Sequence, residues 1–264
     1  MAGSSTDVRA PPRAIIFDLF QTLVFFDGSK LPVVEIGGKK RPTTIVDLQR
    51  RLHEYDPALD AAHFLKSIAA VQREITDEKR ATGREITSCE RFRRALVHAT
   101  DGWATRHSTQ LETVADNLVE AHMATLASAV YCPEDRYPLL ESLAADFQLG
   151  LLSNFDHGPT AHAVLDRLQL SRWFDVRVVS DDVGYCKPAP EIFALTCERM
   201  KIAPPEALFV GDSLSADVHG AAAAGLKPIW VGDANEDRGP AVAVIKDVTE
   251  LPQVLRALRF VGRT

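Results

Sequence analysis

Three carboxylates, a hydroxyl and an ammonium group follow closely on short apolar runs in this sequence. Asp18 closes Ala14-Ile15-Ile16-Phe17, Ser153 and Asn154 lie in LLSNFD, Lys187 precedes a proline in CKPAPEIF, and Asp212 and Asp217 share FVGDSLSAD. Gathered in one place, these acids would repel one another unless a cation lay among them, and hard oxygen ligands of this kind suit Mg²⁺. Two residues after Asp18, where a second carboxylate would complete a catalytic pair, the chain has Phe20. A phenyl ring neither gives nor takes a proton, so the chemistry must be one that tolerates a missing general acid.

Whether these groups meet depends on the elements that carry them. Continuous apolar runs rich in β-branched residues recur at 14–17, 148–152, 176–179, 207–210 and 227–231. Helix-like segments lie between most of them. Residues 158–170 place Val164, Leu165 and Leu168 on one face, 190–200 open on Pro190, and 215–226 stop at Gly225. Buried strands alternating with helices are the pattern of a parallel, doubly wound sheet. In such a sheet ligands sit beyond the carboxyl ends of the strands, where the residues above fall.

The interval between the first strand and residue 131 has no strand of that kind. A hairpin turning at Gly37-Gly38 is expected near 30–45, and helical periodicity follows. Phe64, Leu65, Ile68 and Ile75 share one face, Leu111, Val114, Leu118 and Val119 share another, and Thr87-x-x-Glu90 has the form of a capping box. The expected organisation is an α/β protein with a Rossmann-like core domain at 13–25 and 131–264. An α-helical cap domain occupies 26–130, and residues 1–12 form a disordered lead-in.

Composition narrows the function classes. With 30 Lys and Arg against 36 Asp and Glu, the net charge of −6 offers no basic field for nucleic acid or an anionic membrane. No apolar run approaches the ~18 residues of a membrane span, and the N-terminus lacks the apolar core of a secretion signal. Cys89, Cys132, Cys186 and Cys197 show no metal-ligand spacing and read as reduced thiols. A cytoplasmic monomer or homodimer with a small-molecule substrate is expected. Arg91, Arg93 and Arg94 read as a solvated helix face, and Asp181 and Asp182 as surface loop acids.

Taken in order, the four motifs resemble those of the haloacid dehalogenase superfamily, in the branch with a helical C1-type cap inserted after the first motif. FDLFQTLV is similar to the first motif (usually DxDGT), LLSNFD to the second, CKPAPEIF to the third and VGDSLSAD to the fourth. The resemblance implies that Asp18 is the nucleophile of a phosphohydrolase and forms an aspartyl intermediate with a small phosphorylated metabolite. It implies that the Ser153 hydroxyl and the Asn154 backbone N–H hold phosphoryl oxygens, while Lys187 offsets the charge of nucleophile and substrate. Asp18, Asp212 and Asp217 would hold Mg²⁺ together with the backbone carbonyl of residue 20, a contact that survives Phe20. The cap would close over the site and set specificity.

Phe20 divides the readings. General acid–base assistance is worth roughly 10²–10⁴-fold, so ordinary phosphate monoesters should be handicapped unless the proton comes from elsewhere or the leaving group needs none. A metal-independent 2-haloacid dehalogenase is a second reading, because dehalogenases of the superfamily carry an aromatic residue at this position. Against it, their fourth motif tends to SSNxxD, whereas this chain has two acids at metal-binding spacing. A catalytically weak member retained for binding or partner interaction is the third. Gln21, where the family has glycine, is a further departure.

Overall fold

A computed structural model describes residues 12–258 except 37, 58, 100 and 101. The expected lead-in lies outside the described residues apart from Pro12, which is buried, as does Gly37 of the hairpin turn.

Six strands form one parallel sheet: β1 (Ala14–Phe17), β6 (Gln148–Ser153), β7 (Val176–Val179), β8 (Ala207–Gly211), β9 (Lys227–Val231) and β10 (Ala243–Ile245), in the order β10-β9-β8-β1-β6-β7. Alternation along β1 sends Ile15 and Phe17 to one face and Ala14 and Ile16 to the other. The first pair packs with Leu149, Leu151, Leu208 and Val210, and the second with Leu152, Ile192, Phe193 and Phe209. With both faces covered, the strands must be apolar throughout, which is why they are legible in the sequence. The sixth strand, β10, was not expected. It has three residues on the sheet edge and only Ile245 is buried; the apolar stretch that contains it, 241–245, is only partly buried.

Two smaller strand pairs leave the main sheet. β2 (Phe25–Phe26) pairs antiparallel with β5 (Val130–Tyr131), bringing together the two ends of the long interval. The hairpin of β3 (Val33–Ile36) and β4 (Lys39–Pro42) projects from it. The rest of the interval is helical: α1 (Ile45–Tyr55), α2 (Ala61–Thr82), α3 (Ser88–Ala99), α4 (Trp103–Arg106) and α5 (Leu111–Ala129). These pack around their own core, which includes Leu48, Phe64, Ile75, Phe92, Leu118 and Met123. The Thr87 hydroxyl accepts the Glu90 N–H at 3.1 Å and so caps α3, while the Glu90 carboxylate turns to Arg93 and Arg94.

The remaining helices pack on the main sheet: α6 (Arg136–Ala144), α7 (Gly158–Arg167), α8 (Ser180–Val183), α9 (Pro190–Met200), α10 (Gly220–Ala223) and α11 (Leu251–Ala257). A π-helical turn, Leu214–His219, precedes α10, and Gly225 ends it with φ of +86°. Among the described residues no helix is long and apolar enough to cross a membrane.

The helical layer is fastened to the sheet layer beyond the chain crossings. Gly83 ends α2 with φ of +67°, and its carbonyl accepts the Cys186 N–H at 3.0 Å. Glu85 N–H then donates to Gly184 at 3.1 Å. A Cβ at residue 83 would stand 2.8 Å from that of Ala189, so the left-handed turn and the close approach both call for glycine.

Arg136 of α6 is 2 % exposed and makes a two-pronged bond to Asp247 at 2.9 and 2.6 Å, with Asp135 a further partner at 2.9 Å. Removing one partner of such a pair leaves the other charge poorly compensated. Because Asp247 is partly exposed and Asp135 still faces Arg136, Asp247→Ala is expected to destabilise the protein by about 1.5 kcal/mol in urea unfolding. The double replacement with Arg136→Met should recover part of the loss.

Candidate active site

Asp18 emerges where β1 runs out between β6 and β8, and its N–H extends the ladder to the Val210 carbonyl at 2.9 Å. From that position its Oδ1 lies 2.6 Å from Lys187 Nζ. The same ammonium is 2.7 Å from Asp217 Oδ1 and 3.0 Å from the Leu152 carbonyl, so its three donors face three oxygens. Lys187 itself is held through its main chain. Its N–H donates to Asn154 Oδ1, and Asn154 Nδ2 donates back to its carbonyl, both at 2.8 Å. The side chain of Asn154 thus positions the lysine, a role that sequence reasoning missed because the two residues are far apart in the chain.

Asp217 is seated by the turn that carries it. Its Oδ2 accepts the Ser213 N–H at 2.9 Å, and its carboxylate lies over Gly211, where a Cβ would stand 2.4 Å from that oxygen. Asp212 is half-buried beside it. One oxygen from each of Asp18, Asp212 and Asp217 lies within 4.8 Å of the others.

Asp18 and Asp217 share one ammonium with Asp212 beside them, and the acidities of Asp18 and Asp212 reflect the shortfall. Burial pushes Asp18 up to about 7; Lys187 opposes the rise, while Asp217 and Asp212 add to it. Burial raises Asp212 as well, with Asp217 contributing. Burial disfavours the Lys187 charge, but Asp18 and Asp217 outweigh it and hold its pKa above the usual value. A pocket short of positive charge, edged by three carboxylate oxygens, fits a hard divalent cation such as Mg²⁺. Ser153 adds a buried hydroxyl for which no partner is found among the described residues. An orphaned donor at a strand end calls for an explanation, and a ligand oxygen is one.

Phe20 does not face this centre as a free group. Its ring is stacked between Phe26, 5.3 Å away at 10°, and Phe155, 4.7 Å away at 24°. Phe155 in turn packs against the helical core, so the column joins the first loop, β2 and the loop after β6 to the helices. Gln21 follows with φ of +63°, a left-handed conformation that costs a side chain more than it costs glycine. Away from the column, a cavity of about 580 Å³ is lined by Asn154, Lys187 and Ser215 and by Thr76, Lys79 and Arg80 of α2.

Other expectations need correction. Arg91, Arg93 and Arg94 are not a solvated face. They pair with Asp156 at 3.0 Å, Glu90 at 2.7 Å and Glu78 at 2.7 Å, because acids from three segments surround them. Asp181 and Asp182 are not idle loop acids either. Asp181 accepts the Gly158 N–H that opens α7 at 2.7 Å, and Asp182 stands 2.7 Å from His162.

The model of the haloacid dehalogenase-like hydrolase family matches residues 12–225. Over 152 residues the chain is 30% identical to glyceraldehyde 3-phosphate phosphatase of Methanothermobacter thermautotrophicus, covering 54% of this chain and 66% of that protein. Over 133 residues it is 30% identical to N-acylneuraminate-9-phosphatase of Rattus norvegicus, covering 47% of this chain and 52% of that protein. The chain therefore spans about half to two thirds of the length of these curated relatives. Among solved structures, 2-haloacid dehalogenase from Pseudomonas syringae pv. Tomato DC3000 superposes with a TM-score of 0.67 at 27% identity, covering 93% of this chain and 99% of that one.

The acidity of Asp18 yields a stability test in the metal-free protein. An Asp whose folded pKa is raised stabilises the fold fully below its unfolded value near 4, and that contribution is lost as pH rises through about 7. In EDTA, the melting temperature of the wild type should therefore fall relative to Asp18→Asn between pH 4 and 7. Parallel curves across that window would contradict the assignment.

Proposed function

The chain belongs to the haloacid dehalogenase-like hydrolases, and from that premise we propose that it is a Mg²⁺-dependent phosphohydrolase of small phosphorylated metabolites with Asp18 as its nucleophile. The observation that carries this reading is the cluster of three carboxylates, two of them on the Lys187 ammonium, together with a buried Ser153 hydroxyl that has no partner among the described residues. Relatives named as phosphatases of glyceraldehyde 3-phosphate and N-acylneuraminate 9-phosphate favour a phosphorylated sugar or polyol. The free cysteines suit a reducing compartment such as the cytoplasm.

In this reading an Asp18 oxygen attacks phosphorus, and the bond to the leaving oxygen breaks with its electron pair on that oxygen. Asp18 then carries the phosphoryl group. Water attacks the same phosphorus, frees phosphate and restores the carboxylate. Lys187 holds the Asp18 carboxylate in place through Oδ1 and balances its charge. The Ser153 hydroxyl and the Asn154 N–H donate to phosphoryl oxygens. Asp18, Asp212, Asp217 and the Phe20 carbonyl would hold Mg²⁺, which would supply charge that screens nucleophile from phosphate. With Phe20 in the place of a general acid, the reading favours leaving groups that need no proton or that draw one from the substrate itself.

A second reading, halide displacement without metal, is favoured by the aromatic residue at position 20 and by the likeness to a 2-haloacid dehalogenase. It gives no use to Asp212 and Asp217 as a pair beside Asp18. Release of phosphate from para-nitrophenyl phosphate or acetyl phosphate should require Mg²⁺ and fall by more than about 10³-fold in Asp18→Asn. Chloride release from 2-chloropropionate that ignores EDTA would instead establish the second reading. No turnover in either arm would point to a binding protein.

The missing acid has its own test. Phe20→Asp should raise turnover of alkyl phosphates relative to acetyl phosphate by roughly 10²-fold, while lowering the melting temperature because the aromatic column is broken. Equal effects on both substrates would refute the missing-acid argument.

A further inference from the structure

Asp212 and Asp217 are carried on one short excursion after β8, and Asp217 is tied down by its own turn through the Ser213 N–H. The main-chain carbonyl of Asp212 is held from the next strand. Trp230 of β9 lies in register with Gly211 of β8, and its side chain is 5 % exposed. The indole Nε1–H donates to the main-chain carbonyl of Asp212 at 2.9 Å. The ring also packs with Val218, the residue after Asp217, and with Ala241, with half-buried Leu214 against them. The chain folds tightly over the indole at Gly232, where a Cβ would stand 2.3 Å from a ring carbon. One side chain therefore fixes the backbone of one acid by a hydrogen bond and backs the π-helical turn of the other.

We propose that Trp230 is a positioning residue for the divalent-cation site, setting the separation of the Asp212 and Asp217 carboxylates. The inference rests on reading these acids as cation ligands. A buried indole N–H needs an acceptor somewhere, and most carbonyls would serve. Here the acceptor belongs to a candidate ligand residue, and groups that orient ligands are where metal affinity is tuned. A tryptophan that served only as core would affect stability and leave cation affinity alone.

Trp230→Phe keeps an aromatic ring against Val218 and Ala241 and removes the N–H. Calorimetric titration of the wild type and the variant with MgCl₂ alone, with melting temperatures in EDTA alongside, separates the two roles. The Mg²⁺ dissociation constant should rise on the order of 10- to 100-fold in the variant, whatever the change in metal-free melting temperature. Equal dissociation constants would overturn the proposal. In the wild type, tryptophan emission should change on Mg²⁺ addition with the calorimetric midpoint. That change should survive Trp103→Phe and Trp173→Phe; its loss in either, or its absence, would also count against Trp230. If the wild type binds no Mg²⁺ in calorimetry, the cation reading falls first and the proposal with it, an outcome distinct from unchanged affinity in Trp230→Phe.

Discussion

The Lys187 ammonium stands 2.6 Å from Asp18 and 2.7 Å from Asp217, and all three side chains are almost wholly removed from water. Charges in such a place are costly unless they are matched and fully bonded. Much of the surrounding structure answers that demand. Asn154 pins the lysine main chain from both sides, the Leu152 carbonyl takes its third proton, and Gly211 leaves room for the Asp217 carboxylate. One positive charge still cannot satisfy three acids. Burial therefore drives the Asp18 pKa upward, and the arrangement suits an added cation.

The aromatic column is the second constraint, and it concerns which substrates the centre could serve. Stacked aromatic rings of this kind contribute beyond the area they bury. By placing Phe20 between Phe26 and Phe155, the chain turns a position next to the nucleophile into part of the joint between its helical and sheet layers. Gln21 accepts a left-handed backbone in the same loop. Proton-transfer capacity at this point has been exchanged for packing, and the open volume lies elsewhere, under the last turns of α2.

Much of the fold was legible because buried parallel strands need uninterrupted apolar residues. Five of the six strands of the main sheet announce themselves in this way, and α9 begins at Pro190 as read. β10 and the β2–β5 pair escaped because strands of two or three residues, partly exposed, carry no periodicity. The arginines of α3 were misread for a different reason. Helical position shows which face a residue occupies, but not that Glu78 and Asp156 from other segments lie against it.

From the sequence alone come the fold class and the residue types gathered at the carboxyl edge of the sheet, since both follow from local pattern and from the order of strands. Tertiary structure alone decided how those residues are partnered. It made Asn154 the clamp on Lys187, shared that lysine between two acids, and set Trp230 beneath Asp212. The physical reason is that each of these is a bond between side chains or main chain far apart in sequence, fixed by strand order and register. Phe20 belongs to both accounts: its identity removes an acid, and only its stacking shows what the ring does instead.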